Sequence, residues 1–161
     1  MTTALALDAA FSPHTDRGVS EDALTMRRRI SELYDDMAVT QTVGQRLYEI
    51  YNALWENYNE CSIENWDGYG AESVTEADLD AAFRFLRTLP TSIPSPEISV
   101  DPDGEFAFEW YRGNDLLSAS IGRLGRISYA ARFGHRKVHG TEYLGDEAPH
   151  VIITNLERLF S

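Results

Sequence analysis

Apolar positions in the first half of the chain recur three and four residues apart, and from residue 97 onward they alternate. Met26, Ile30, Leu33 and Met37 make one helical stripe behind Ser20, an N-cap with Glu21 and Asp22 in the first turn. A second helix is expected over about 42–59, with Val43, Leu47, Ile50, Leu54 and Tyr58 as its stripe. Tyr51 and Trp55 widen that stripe enough to need more than one neighbour. Thr75 is the N-cap of a third helix, with Asp78 in a capping-box position and Leu79, Ala82, Phe83 and Leu86 on one face. Leu89-Pro90 ends it, and the prolines of TSIPSP (91–96) forbid helix beyond.

The period then becomes two. EISV leads into the turn DPDG (101–104), and EFAFEWY (105–111) places Phe106, Phe108 and Trp110 on one face. RGND (112–115), GRLG (122–125) and GHRK (134–137) separate LLSASI (116–121) from RISYAARF (126–133) and from a short edge strand over 138–143. Pro149 opens a last helix with Ile152, Leu156 and Leu159 inward. The expected class is α+β: an antiparallel β-meander of four to five strands, helices mainly on one face, and an N-terminal helical pair. Residues 1–19 read as a flexible arm, and 20–161 as a single α+β domain. Within it, 20–60 form the helical part and 61–161 a helix, the meander and the C-terminal helix.

Composition makes this a folded chain: 43% of 161 residues are hydrophobic and 18 are aromatic, enough for a core. One cysteine, Cys61, excludes an intrachain disulfide. With no basic leader and no long apolar run, this places the chain in the cytoplasm, with no membrane partner. The net charge of −12 works against duplex nucleic-acid binding. The charge is uneven: 13 acids and 5 bases in residues 1–72, against 13 and 9 in 73–161. Glu49, Glu56, Glu60, Glu64, Asp67 and Glu72 succeed one another without an intervening Lys or Arg. These acids either form a solvated helix face or meet a partner with a basic surface. The Arg27-Arg28-Arg29 cluster is read as pairing with nearby acids such as Glu32 or Asp35.

NWDGYGAESV (65–74) reads as an aromatic-pinned loop. Trp66 and Tyr69 anchor it by packing, Gly68 and Gly70 supply positive φ, and Asp67 or Glu72 could face a partner or metal. NWDGYGA, a helix ending in LP, DPDGEFAFEWYRG, SIG, SYA, FG and HGTE follow in that order over roughly residues 62–160. This order resembles an uncharacterised family of small bacterial proteins. The resemblance carries no catalytic residues. Its members look like accessory genes of bacterial and mobile-element genomes, which implies a partner-binding or regulatory role and sets the first 60 residues apart as an attachment.

Candidate chemistry is sparse. Cys61 could be a nucleophile with His135, His139 or His150 as base, but Glu60 and Glu64 beside it disfavour a thiolate. His135, His139 and Glu142 are too few and too divided by a turn for zinc. The second sheet face carries Glu109, Tyr111, Ser118, Ser120, Ser128 and Arg132, with a possible Glu109–Arg132 ion pair. If the chain is an enzyme, Glu109, Tyr111, Arg132 and His139 are its candidate groups. No phosphate-binding glycine loop or Gly-x-Ser-x-Gly elbow is present, and no metal or cofactor is expected. The leading expectation is a non-catalytic acidic interaction module, an inhibitor or regulator that is antitoxin-like or anti-defence. The alternatives are a small enzyme or ligand-binding domain on the open sheet face, and a nucleic-acid mimic. Apolar stripes on helices 20–37 and 42–59 suggest a homodimer through them.

Overall fold

The computed structural model describes residues 41–161, together with Thr25 and Arg28, both helical and exposed. The arm over 1–19, the rest of the first helix and the remainder of the arginine cluster lie outside the described residues. In chain order come α1 (Gln41–Cys61), α2 (Glu76–Thr88), β1 (Glu97–Val100), β2 (Phe106–Arg112), β3 (Asp115–Ile121), a 3-10 turn (Arg123–Gly125), β4 (Arg126–Phe133), β5 (Arg136–Tyr143) and α3 (His150–Phe160). The strands form one antiparallel sheet in the order β1-β2-β3-β4-β5, so the α+β meander is as expected.

Each hairpin is set by a glycine in the left-handed region. Arg112 pairs with Asp115 and Phe133 with Arg136, leaving two-residue loops whose first positions are Gly113 (φ 60°) and Gly134 (φ 58°). At DPDG, Gly104 (φ 77°) donates its N–H to the Asp101 carbonyl at 2.9 Å, while Asp101 N–H reaches the Glu105 carbonyl at 2.9 Å. This is a three-residue hairpin loop with the left-handed residue last. Because Gly134-His135 is the whole turn, β5 starts at Arg136. It runs for eight residues rather than as the short edge strand over 138–143 that periodicity suggests.

Register puts the large apolar side chains of the core on one face and leaves Tyr111, Leu116 and Tyr143 on the other. Ile98 lies opposite Phe108, Phe108 opposite Ala119 and Ala119 opposite Tyr129; Trp110 faces Leu117 and Leu117 faces Ala131. α2 and α3 cover this face with Leu79, Phe85, Leu86, Ile152 and Leu156, all buried. Trp110 is buried and satisfies its indole N–H on the Pro94 carbonyl at 2.9 Å, which pins the proline connector over the sheet. Arg112 donates to the carbonyls of Leu159 (3.3 Å) and Ser161 (2.7 Å), holding the C-terminus of α3 to β2.

α2 starts as its sequence dictates. Thr75 accepts from Asp78 N–H at 3.4 Å, and Asp78 accepts from Thr75 N–H at 3.0 Å, a reciprocal capping box. α1 packs on α2 and β1 through Ile50, Tyr51 and Leu54, and Tyr51 meets the edge of Phe83 at 6.4 Å. Ile50, Tyr51 and Leu54, part of the expected dimer stripe on this helix, are thus buried against their own chain, while residues 20–37 lie outside the described part except for Thr25 and Arg28. No helix among the described residues is long and apolar enough to cross a membrane.

The two sheet faces make opposite predictions. Trp110→Ala should cost about 3–5 kcal/mol of folding stability in urea denaturation. Ser118→Ala, on the uncovered face of the neighbouring strand, should stay within about 0.5 kcal/mol of the parent.

Candidate functional site: a charged cleft at the turn end of the sheet

The 65–74 loop is built on its own polar side chains. Asn65 sits at φ 60°, donates its N–H to the Ala71 carbonyl (2.8 Å) and accepts from Gly70 N–H on Oδ1 (2.7 Å). Asp67 Oδ1 accepts from Tyr69 N–H (2.7 Å) and Ala71 N–H (3.1 Å). These N–H groups, that of Tyr69 foremost, hold the Asp67 carboxyl below the usual range. Asp67 is thus occupied in shaping the loop. Trp66 is half-buried and donates its indole N–H to the Glu72 carbonyl at 3.1 Å, as a packing anchor should. Tyr69 is not an anchor: it is 95% exposed. Gly68 and Gly70, at φ 78° and 98°, lift it off the domain.

Glu72 N–H then reaches the Pro102 carbonyl at 2.8 Å, docking this loop on the β1–β2 turn. The 3-10 turn between β3 and β4 joins from the other side. The three turns enclose a cleft of about 240 Å³ lined by Glu72, Asp78, Asp103, Gly104, Glu105, Arg123 and Arg126. That is below the ~300–1,000 Å³ of small-molecule and cofactor pockets and suits one side chain or ion. Glu105 and Arg126 form an ion pair, and Glu105 also accepts from Ser120 Oγ at 2.9 Å. Gly122 makes room for this carboxylate, since a Cβ there would lie 2.2 Å from Glu105 Oε1. Arg123 meets Glu72 at 3.9 Å with both side chains largely in water, a contact of little energy. At the floor, Asp78 is 1% exposed; Oδ2 serves the helix cap, while Oδ1 has no hydrogen-bond partner.

Four carboxylates against two guanidinium groups leave the lining two charges negative. Next to Arg123 in the 3-10 turn, Leu124 is 96% exposed and held at φ 63°, a conformation costly for a residue with a Cβ. Exposed Tyr69 and Leu124 are thus carried by two of the turns that build the cleft. Sequence reasoning treated these turns one at a time and missed their convergence. GRLG, with its one Leu between glycines, was the available signal.

The acids of the helical half take different places. Glu49, Glu56 and Glu60 fall within about 40° of one another around α1, on its exposed side. Gln45 donates to Glu49 at 3.1 Å, and the lone base of α1, Arg46, turns away to the Pro90 carbonyl at 3.3 Å. Glu64 is exposed in the following loop and Glu72 lines the cleft.

The candidate catalytic groups do not meet. Glu109 and His139 share a row of the open face, but Ser118 and Ala130 stand between them, about 14 Å of sheet. Tyr111 and Arg132 are separated by Leu116, about 10 Å. Arg132 donates to the Asn114 carbonyl at 2.9 Å, and no Glu109–Arg132 ion pair forms among the described residues. Tyr111 donates its hydroxyl to Glu109, which pushes the phenol up to about 12. His139 and Glu142 project from opposite faces of β5, so with His135 in the turn they cannot converge on a metal. Cys61 is buried, and burial first, then Glu60, push its thiol up.

No family model, curated protein or solved structure matches the chain.

Asp101, in the turn behind the cleft, offers a check on this acidic end. Burial, then the charges of Asp103, Glu105 and Glu109, push its carboxyl above the ordinary range. Ionised Asp101 is therefore less stable in the native protein than in the unfolded chain. Asp101→Asn should raise the urea midpoint at pH 7, by less than about 1 kcal/mol for a partly solvated charge. The gain should fade as the pH falls through the raised native value and be gone below the ordinary aspartate value of about 3.9, where the side chain is neutral in both states.

Proposed function

We propose that the chain is a non-catalytic protein-interaction module that inhibits or regulates a partner with a basic surface. In this reading it is a cytoplasmic, mobile-element-associated factor of the antitoxin or anti-defence kind. The observation that carries the reading is the cleft with its turns. A net-negative, side-chain-sized recess is lined by Asp78, whose buried Oδ1 is unpartnered among the described residues, and two of the turns that build it also carry Tyr69 and Leu124, which are almost fully exposed. An apolar anchor beside a desolvated charge is the composition of interface hot spots. A Lys or Arg side chain of the partner would enter the cleft, and Tyr69 and Leu124 would be covered around it. The stripe of Glu49, Glu56 and Glu60, continued by Glu64, extends the same sign of charge along α1 and would steer the approach.

At a rise of about 1.5 Å per residue, Glu49 and Glu56 stand about 10 Å apart and Glu56 and Glu60 about 6 Å. That irregular spacing favours simple charge complementarity over imitation of a phosphate backbone.

Affinity capture from native lysate tests the reading with two variants. Replacing Glu49, Glu56, Glu60 and Glu64 by Gln should slow capture and weaken it most at low salt. Tyr69→Ala combined with Leu124→Ala should abolish it at any salt, with folding confirmed by circular dichroism. A partner recovered equally by the parent and both variants would refute the assignment of this surface.

A further inference from the structure

β5 is the last strand of the sheet, and among the described residues β4 is its one strand neighbour. It is as long as β4, pairs without a bulge over all eight residues, and contains no proline. Among the described residues, the devices that usually blunt an outer edge are therefore reduced to Arg136 and Lys137 at one end. The backbone phase is fixed by the bond from Leu144 N–H to the Gly125 carbonyl at 2.8 Å. Antiparallel partners alternate between bonded and non-bonded pairs. Glu142, Gly140, Val138 and Arg136 thus turn their N–H and C=O groups to β4. Thr141, His139 and Lys137 turn theirs outward, and all three side chains are exposed.

The charges on this edge are arranged antisymmetrically. Arg136 stands near the start of β5 and Glu142 near its end, both on the covered side of the sheet. Neither forms an ion pair among the described residues. Reversing the strand against itself about His139 puts Arg136 opposite Glu142 of the second copy, twice over, with Lys137 opposite Thr141 and Val138 opposite Gly140. Shifting the centre to Val138 instead sets Lys137 against His139. Shifting it to Gly140 sets Val138 against Glu142. Registers that preserve the faces move in whole-residue steps of the centre. Of these three, the one centred on His139 is the one that pairs opposite charges.

We propose that β5 pairs antiparallel with β5 of a second copy about a two-fold axis through His139, joining the two sheets into one continuous sheet. His139 exchanges both backbone bonds with its counterpart, and Lys137 does so with the second copy's Thr141. The two Arg–Glu pairs at the ends select the register. This contact uses none of the residues that line the cleft, although its Glu142 end lies beside the strand that starts at Arg126, and it does not rest on the partner reading above.

Sedimentation velocity across a range of concentrations reads the association. The parent should dimerise. Thr141→Pro, which deletes an outward N–H, should give a folded monomer by circular dichroism. Arg136→Glu should raise the dimer dissociation constant about tenfold or more, because it replaces two attractive cross-strand pairs with repulsive ones. Arg136→Glu combined with Glu142→Arg leaves the strand backbone untouched and should return the constant to within about threefold of the parent. His139→Cys should crosslink on mild oxidation, since a bonded antiparallel pair places Cα atoms about 5.5 Å apart, within disulfide range. A parent chain that stays monomeric overturns the proposal, whether β5 amides are bare or protected by residues 1–40. So does a dimer indifferent to Arg136→Glu, or one that the double charge reversal fails to restore.

Discussion

The structure rests on one-sided burial of the β2 row. Phe106, Phe108 and Trp110 are all buried; Phe106 and Phe108 each sit at the centre of a cross-strand triplet, Trp110 pairs with Leu117 beyond the end of β1, and α2 and α3 roof the row. Since side chains alternate across a strand, committing this row to the core commits every second residue of β1, β3, β4 and β5 with it. The remainder must then face water. On the open side this leaves mainly small and polar residues, Ser118, Ser120, Ser128 and Ala130 among them, beside Glu109, Tyr111, Leu116 and Arg132. The indole bond of Trp110 to Pro94 and the grip of Arg112 on the end of α3 are consequences of the same commitment. Each ties a segment that must cross the roof to the strand beneath it.

Most of this was legible in the chain because the signals are local. The switch from a helical to an alternating period, the capping box at Thr75 and Asp78, and the Asp-Pro-Asp-Gly and Arg-Gly-Asn-Asp turns each act over a few residues. Two errors share a cause. β5 reads as short because GHRK looks like a four-residue turn, yet Gly134-His135 alone closes the hairpin and Arg136 and Lys137 already pair with β4. Tyr69 was expected to pack because aromatic rings usually do, yet two left-handed glycines beside it turn the loop outward. In both cases backbone geometry outweighed side-chain character.

The cleft was not legible for a different reason. Its residues come from four places: the loop after α1, the first turn of α2, the β1–β2 turn and the β3–β4 turn. Only the meander order brings the last two to the same end of the sheet, and only the Glu72 to Pro102 bond brings the first beside them. A list of motifs contains every lining residue but no information on which end of the sheet each turn occupies. The candidate catalytic set failed in the converse way. Glu109, Tyr111, Arg132 and His139 share a face, but residues on one face can still be several strands apart.

The two surfaces with unspent potential are those the one-sided burial cannot reach. A meander covered on one face ends in turns, where backbone bonding runs out and side chains must complete the structure. It also ends in an outer strand, where backbone groups lack a neighbour. At the turns, the deficit shows as the unpartnered Asp78 oxygen, the left-handed Leu124 and the exposed Tyr69. At the strand, it shows as the outward N–H and C=O groups of Lys137, His139 and Thr141. β1, the opposite edge, is half as long as β5 and packs against α1. α1 is also the helix that carries the acidic stripe. One helix therefore does two jobs: its apolar side seals an edge of the sheet, and its polar side holds a row of like charges in water. Those charges are costly to gather and gain nothing within the domain. Under the proposed reading, an opposite charge brought from outside offsets that cost, for the acidic helix and the acid-rich cleft alike.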